Sequence, residues 1–164
     1  HARNVMAGAK AIKIPPKTSG GRALELLNEA DCEKHFDTTL GLPRDGKIAT
    51  KIAMPQNNGA KAEIVSRIYD SVGIPSDRNV RVAFEHKIGW VRYSRRVRLQ
   101  VQRDAELVRQ LRANPDLAND VKFVDIEWVF FAKESKSGLV GPDKDLLQAL
   151  QDAGIKYTIY LTRT

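Results

Sequence analysis

Residues 79–102 read NVRVAFEHKIGWVRYSRRVRLQVQ, and their interpretation decides how the rest of the chain is arranged. Val80, Val82, Phe84 and His86 alternate with Arg81, Ala83, Glu85 and Lys87. Beyond Gly89, the apolar residues Val91, Tyr93, Val97, Leu99 and Val101 are interleaved with Arg92, Ser94, Arg96, Arg98, Gln100 and Gln102. A period of two puts one set in the core and the other on the opposite face, so two long strands are expected with a turn at Gly89. Arg95 interrupts the series and predicts a bulge or an edge there.

Charge gathers around the same stretch. From Arg78 to Arg112 there are ten basic residues against three acidic ones, an excess equal to the +7 of the whole chain. Nine of the ten are arginine, whose planar fork suits phosphate and base-edge contacts. The expected nucleic-acid surface is therefore the strand face with Arg81, Arg92, Arg96 and Arg98, with Lys87 and Arg95 near the turn. Six phosphate contacts to duplex DNA would give a slope of log affinity against log salt of about −5. Residues 1–21 hold Lys10, Lys13 and Lys17 with no acid, and Pro15-Pro16 and Gly20-Gly21 break regular structure. They read as a flexible basic arm that could track a phosphate backbone, with Ile12 and Ile14 able to edge onto a sheet.

Outside the central stretch, the apolar spacing predicts a helix over 22–30. Asp45-Gly46 is a turn joining Thr38–Arg44 to a strand over Lys47–Met54. Ile64, Val65, Ile68, Tyr69 and Val72 form a stripe at helical spacing, so a helix is expected over Ala60–Val72 with Lys61, Glu63 and Arg67 facing out. A further helix follows over Arg103–Ala113, stopped by Asn114-Pro115. Val121–Ala132 is the most buried-looking strand, Lys133–Gly141 a loop, Pro142–Ala153 a helix and Ile155–Thr162 a last strand. A single α+β domain over 22–164 accounts for this order, with one mixed or antiparallel sheet and helices mainly on one face.

Composition narrows the class. At 164 residues, 42% apolar and 29% charged, the chain can bury a core without a metal or disulfide staple. Cys32 is the only cysteine, so no intrachain disulfide forms and a cysteine-ligated zinc site is not expected. No apolar run approaches a membrane span of about 20 residues, and the first residues lack a signal-peptide block. A cytoplasmic protein without a membrane partner is expected, with a virion subunit and a homo-oligomer both compatible. Glycine-rich phosphate loops and Gly-x-Ser-x-Gly are absent.

Two chemistries follow. The first is nucleic-acid binding, to DNA or RNA, without catalysis and without a cofactor. The second starts from Pro75-Ser76-Asp77 and Glu85-His86-Lys87, which resemble the Pro-Asp…Glu-x-Lys signature of restriction-type nucleases. The resemblance covers a dozen residues, and it departs from the signature where Ser76 separates Pro75 from Asp77. It implies a small Mg²⁺-dependent nuclease in which Asp77 and Glu85 bind the cation and Lys87 steadies the attacking water. Asp125 and Glu127, two residues apart on a strand, would either join Glu85 in that site or answer Arg92 and Arg96 in cross-strand ion pairs.

Overall fold

In the computed structural model, the described residues are 10–12, 47–75, 78–135 and 138–162, with side chains described over 47–75, 78–132 and 141–160. The expected helix over 22–30 and strand over Thr38–Arg44 lie outside them, as do Lys13, Lys17, Cys32 and Asp77.

The protein is of the α+β class. Its main sheet is mixed and contains β1 (Lys10–Ile12), β4 (Ser71–Gly73), β5 (Val82–Ile88), β6 (Asp125–Ser135), β7 (Gly138–Val140) and β8 (Lys156–Thr162). The strand order is β1-β8-β6-β5-β4, with β7 antiparallel to the end of β6. Strands β5, β6 and β8 are parallel, whereas β4 runs antiparallel to β5. A second sheet, not anticipated from the sequence, is the antiparallel pair β2 (Ile48–Met54) and β3 (Glu63–Tyr69). Three helices, α1 (Arg95–Ala113), α2 (Leu117–Val121) and α3 (Lys144–Asp152), supply crossovers between the parallel strands.

Parallel neighbours need such crossovers, and strands buried on both faces read as apolar runs rather than clean alternation. That explains Val82 to His86, in which every residue is buried. Their expected solvent-facing set does not face solvent: Ala83 and Glu85 share a face with Ile126 and Trp128 of β6, under α1. The core on that side joins Leu107 and Leu111 of α1 to Trp128, Phe130, Leu146 and Leu150.

The largest correction concerns residues 91–102. Only Val91 makes a bridge, to Pro142, and from Arg95 the chain is helical. Val97, Val101, Asp104, Leu107, Val108 and Leu111 form the buried stripe of a 19-residue helix, and Ser94 caps it by accepting from the Val97 N–H at 3.4 Å. A helical period had been hidden because Leu99, exposed here, supplied the missing beat of the alternating pattern. Arg95, Arg96 and Arg98 are thus helix residues that fan around an axis, and no arginine strand face exists among the described residues.

The expected helix over Ala60–Val72 is also a strand. Val65, Arg67 and Tyr69 point inward at a period of two while Ile64 and Ile68 are exposed. Counting Arg67 as outward made the segment look helical; it is the charge that turns in. Within the span expected as a loop, residues 133–135 instead continue β6, and Gly138–Val140 form β7. The strands at Lys47–Met54 and Ile155–Thr162 and the helix at Pro142–Ala153 appear close to their expected bounds. Lys10 lies in β1, paired parallel to β8.

Candidate active site

The chain bends at Asp70, between β3 and β4, and this bend brings a carboxylate to the middle of β5. The Asp70 N–H donates to the Phe84 carbonyl at 3.0 Å, and Asp70 Oδ2 accepts from the His86 N–H at 2.8 Å. Two backbone anchors therefore fix Asp70 beside β5, and its side chain lines one cleft with that of Glu85. Lys87 emerges two residues on, from the same face of β5. Its Nζ lies 3.8 Å from Glu85 Oε2 and donates to Gln100 Oε1 at 3.0 Å. Gln100, six residues beyond the Ser94 cap of α1, also reaches Glu85 Oε1 through Nε2 at 3.5 Å.

Behind these residues lies a buried layer. Arg67 Nη2 contacts Glu85 Oε1 at 2.8 Å, and its Nε and Nη2 donate to Asp104 Oδ1 and Oδ2 at 2.9 and 3.1 Å. Asp104 accepts further from the Tyr69 hydroxyl at 2.6 Å and from Trp128 Nε1 at 2.8 Å. With four donors around it, a fully buried carboxylate is satisfied as charged-group burial requires.

The electrostatics follow from this crowding. Burial, reinforced by hydrogen bonding to Asp70, pushes Glu85 up to about 8 although Arg67 and Lys87 pull the other way. Burial also pushes Asp70 up, but the hydrogen bonds from Glu85 and the His86 N–H outweigh it and leave Asp70 below its usual value. Near neutral pH the two carboxyls thus share one proton, the behaviour of a coupled pair that cannot ionise twice unaided. Arg67 is held charged: burial opposes this, and Asp104 and Glu85 more than compensate.

The pair opens into a cleft of about 900 Å³ between β3, β5 and α1. Its walls carry five cations, Lys47, Arg67, Lys87, Arg96 and Arg103, against the two carboxylates. Another open depression, about 710 Å³ around Val80, Arg81, Lys122 and Val124, has no carboxylate lining it.

The predicted site residues divide accordingly. Glu85, Lys87 and Arg96 come together in the cleft. Asp125 and Glu127 do not: by register they lie on the other face of the sheet, in line with Val82 and Phe84. There Asp125 meets Lys156 at 3.5 Å, and Glu127 pairs with Arg78 and accepts from Thr158 at 3.0 Å. They therefore neutralise neither Arg92 nor Arg96. Arg81 is exposed beside β5 and donates to the Lys122 carbonyl at 2.9 Å. Arg92 precedes α1 and is exposed, as is Arg95, and Arg98 lies over the Tyr93 ring at 4.8 Å.

Asp70, Arg67 and Asp104 were missed as site residues, and Gln100 was read only as a member of the polar set of an expected strand. The available signal was an arginine and an aspartate at inward positions of otherwise apolar stripes. Compared with protein-family models, curated proteins and solved structures, the chain matches none.

Proposed function

We propose that this protein is a divalent-metal-dependent nuclease whose site is Asp70, Glu85 and Lys87, oriented by Gln100. The observation that carries the reading is the Asp70–Glu85 pair itself. Two neighbouring carboxyls lining one cleft, with the Lys87 ammonium beside them, would suit a hard divalent cation.

The donor set fits Mg²⁺ better than zinc. Among the described residues no group of three or more His, Cys, Asp and Glu side chains could hold a metal. Magnesium is commonly held by one or two carboxylates, with water and substrate phosphate completing its shell. Bound there, it would supply Lewis-acid polarisation of a phosphoryl oxygen. The Glu-x-Lys part of the nuclease resemblance is retained, and its partner carboxylate becomes Asp70 in place of Asp77.

The chain's own residues have separable tasks. Asp70 and Glu85 would hold the cation. Lys87, with its Nζ 3.8 Å from Glu85 Oε2, would steady the negative charge that develops as water attacks the phosphorus. Gln100 fixes Lys87 through its 3.0 Å contact and so sets the approach line. Arg96, Arg103 and Lys47 line the walls, where they would receive backbone phosphates on either side of the scissile bond.

The test is a cleavage assay on labelled single- and double-stranded DNA and RNA, in Mg²⁺ or EDTA. Wild type should cut at least one substrate in Mg²⁺ alone, and Glu85→Ala and Lys87→Ala should each lose at least about 100-fold. Salt-sensitive retention of nucleic acid with no cutting in any metal would replace the nuclease with a binding protein.

A further inference from the structure

Arg67 is an unexpected neighbour for a cation site, because its guanidinium touches Glu85 from the buried side and is itself only 4% exposed. A positive charge at 2.8 Å from a ligand carboxylate should repel the cation that carboxylate is meant to hold. Asp104 changes that balance. It takes two of the arginine's hydrogen bonds, so Arg67 and Asp104 together present no net charge to Glu85. The guanidinium still offers its Nη2 to Glu85 Oε1, while Glu85 Oε2 is the oxygen near Lys87.

We infer that Arg67 is a positioning residue for the metal site, tying Glu85 Oε1 from behind so that Oε2 faces the cation, with Asp104 as the counter-charge that makes this compatible with metal binding. This rests on the nuclease reading above. Three features support it beyond simple core packing. The planar fork grips Asp104 with two parallel donors while still reaching Glu85, a fixed bidentate geometry that the rotatable donors of an ammonium do not provide. Asp104 is locked by Tyr69 and Trp128, so the arginine cannot swing to a different partner without leaving a buried charge unanswered. Arg67 Nη1 is occupied by the Ile68 carbonyl at 2.7 Å, which leaves Nη2 as the arm reaching Glu85. Partners of this kind, behind the ligands, commonly change metal affinity 10–100-fold when altered.

Calorimetric titration of Mn²⁺ into the full chain, without nucleic acid, reads this directly. Arg67→Lys keeps the charge and loses the fork; Asp104→Asn keeps the shape and leaves Arg67 uncompensated beside Glu85. Each folded variant should bind Mn²⁺ at least about tenfold more weakly than wild type. Melting temperature, recorded alongside, separates folding from affinity. If either variant is folded and binds Mn²⁺ within threefold of wild type, the positioning role is overturned and the network is core packing only. Should Asp104→Asn fail to fold, Arg67→Lys decides alone. Absence of Mn²⁺ binding to wild type would overturn the metal site itself, an outcome distinct from a variant that leaves binding intact.

Discussion

At the scale of single residues, the site is governed by two titrations of opposite sign. Glu85, raised from an ordinary 4.5 to about 8, binds its proton more tightly folded than unfolded. Its contribution to stability is complete below about 4.5 and is lost as pH rises through 8. A cation bound there as proposed would have to displace that proton, so the rise in melting temperature caused by Mg²⁺ should grow from pH 6 to pH 8; scanning calorimetry at both values would show it. An equal rise at both would mean that Mg²⁺ does not compete with the shared proton. His86 behaves oppositely. Fully buried, and lowered from 6.5 to about 4 by burial despite nearby Asp70, it stays neutral when folded. Stability should therefore fall as pH drops from about 6.5 towards 4, and His86→Gln should flatten that part of the stability–pH curve. Glu85 and Lys87 were legible as site residues because Glu-x-Lys on a strand keeps both on one face. Asp70 was not, because its role depends on a bend and on two backbone bonds to β5 that no local pattern announces. Arg67 and Asp104 were invisible for a related reason: each occupies an apolar period while being charged, and only their mutual contact makes that affordable.

At the scale of elements, α1 gives the cleft two of its five cations, Arg96 and Arg103, and the Gln100 amide. Its buried stripe fixes its rotation, and positions 96, 100 and 103 then line the cleft while Arg95 and Arg98 do not. Arg96→Ala and Arg103→Ala should each weaken nucleic-acid binding and reduce the salt slope by about 1, whereas Arg98→Ala should leave the slope unchanged. Binding titrations across a salt series check both. Residues 91–102 misled as a strand because valine and leucine at alternate positions satisfy both periods over so short a span. The deciding features were the Ser94 cap and the continuation of the apolar stripe through Leu111, which only a longer window exposes. In β3 the error ran the other way, since treating Arg67 as a surface residue removed the inward alternation.

At the scale of the whole molecule, the mixed sheet, the helices on one face and the terminal α3–β8 unit were readable from composition, caps and spacing. The parallel order of β5, β6 and β8 was not, because pairing partners depend on crossovers rather than on any one segment. That order is what separates two acidic pairs that look alike in sequence. Asp70 and Glu85 lie under α1, while Asp125 and Glu127 line the opposite face in ion pairs with Lys156 and Arg78. The core joining α1 to β6 sustains this arrangement, and Leu107→Ala, at a fully buried position, should cost about 2–5 kcal/mol in chemical denaturation. Among the described residues no helix is long and apolar enough to cross a membrane. The most direct test compares Asp70→Asn with Asp125→Asn for Mg²⁺-dependent nucleic-acid cleavage. Asp70→Asn should lose at least about 100-fold while Asp125→Asn stays within threefold of wild type. Equal loss in both, or a loss confined to Asp125→Asn, would contradict the proposal that Asp70 and Glu85 hold the metal.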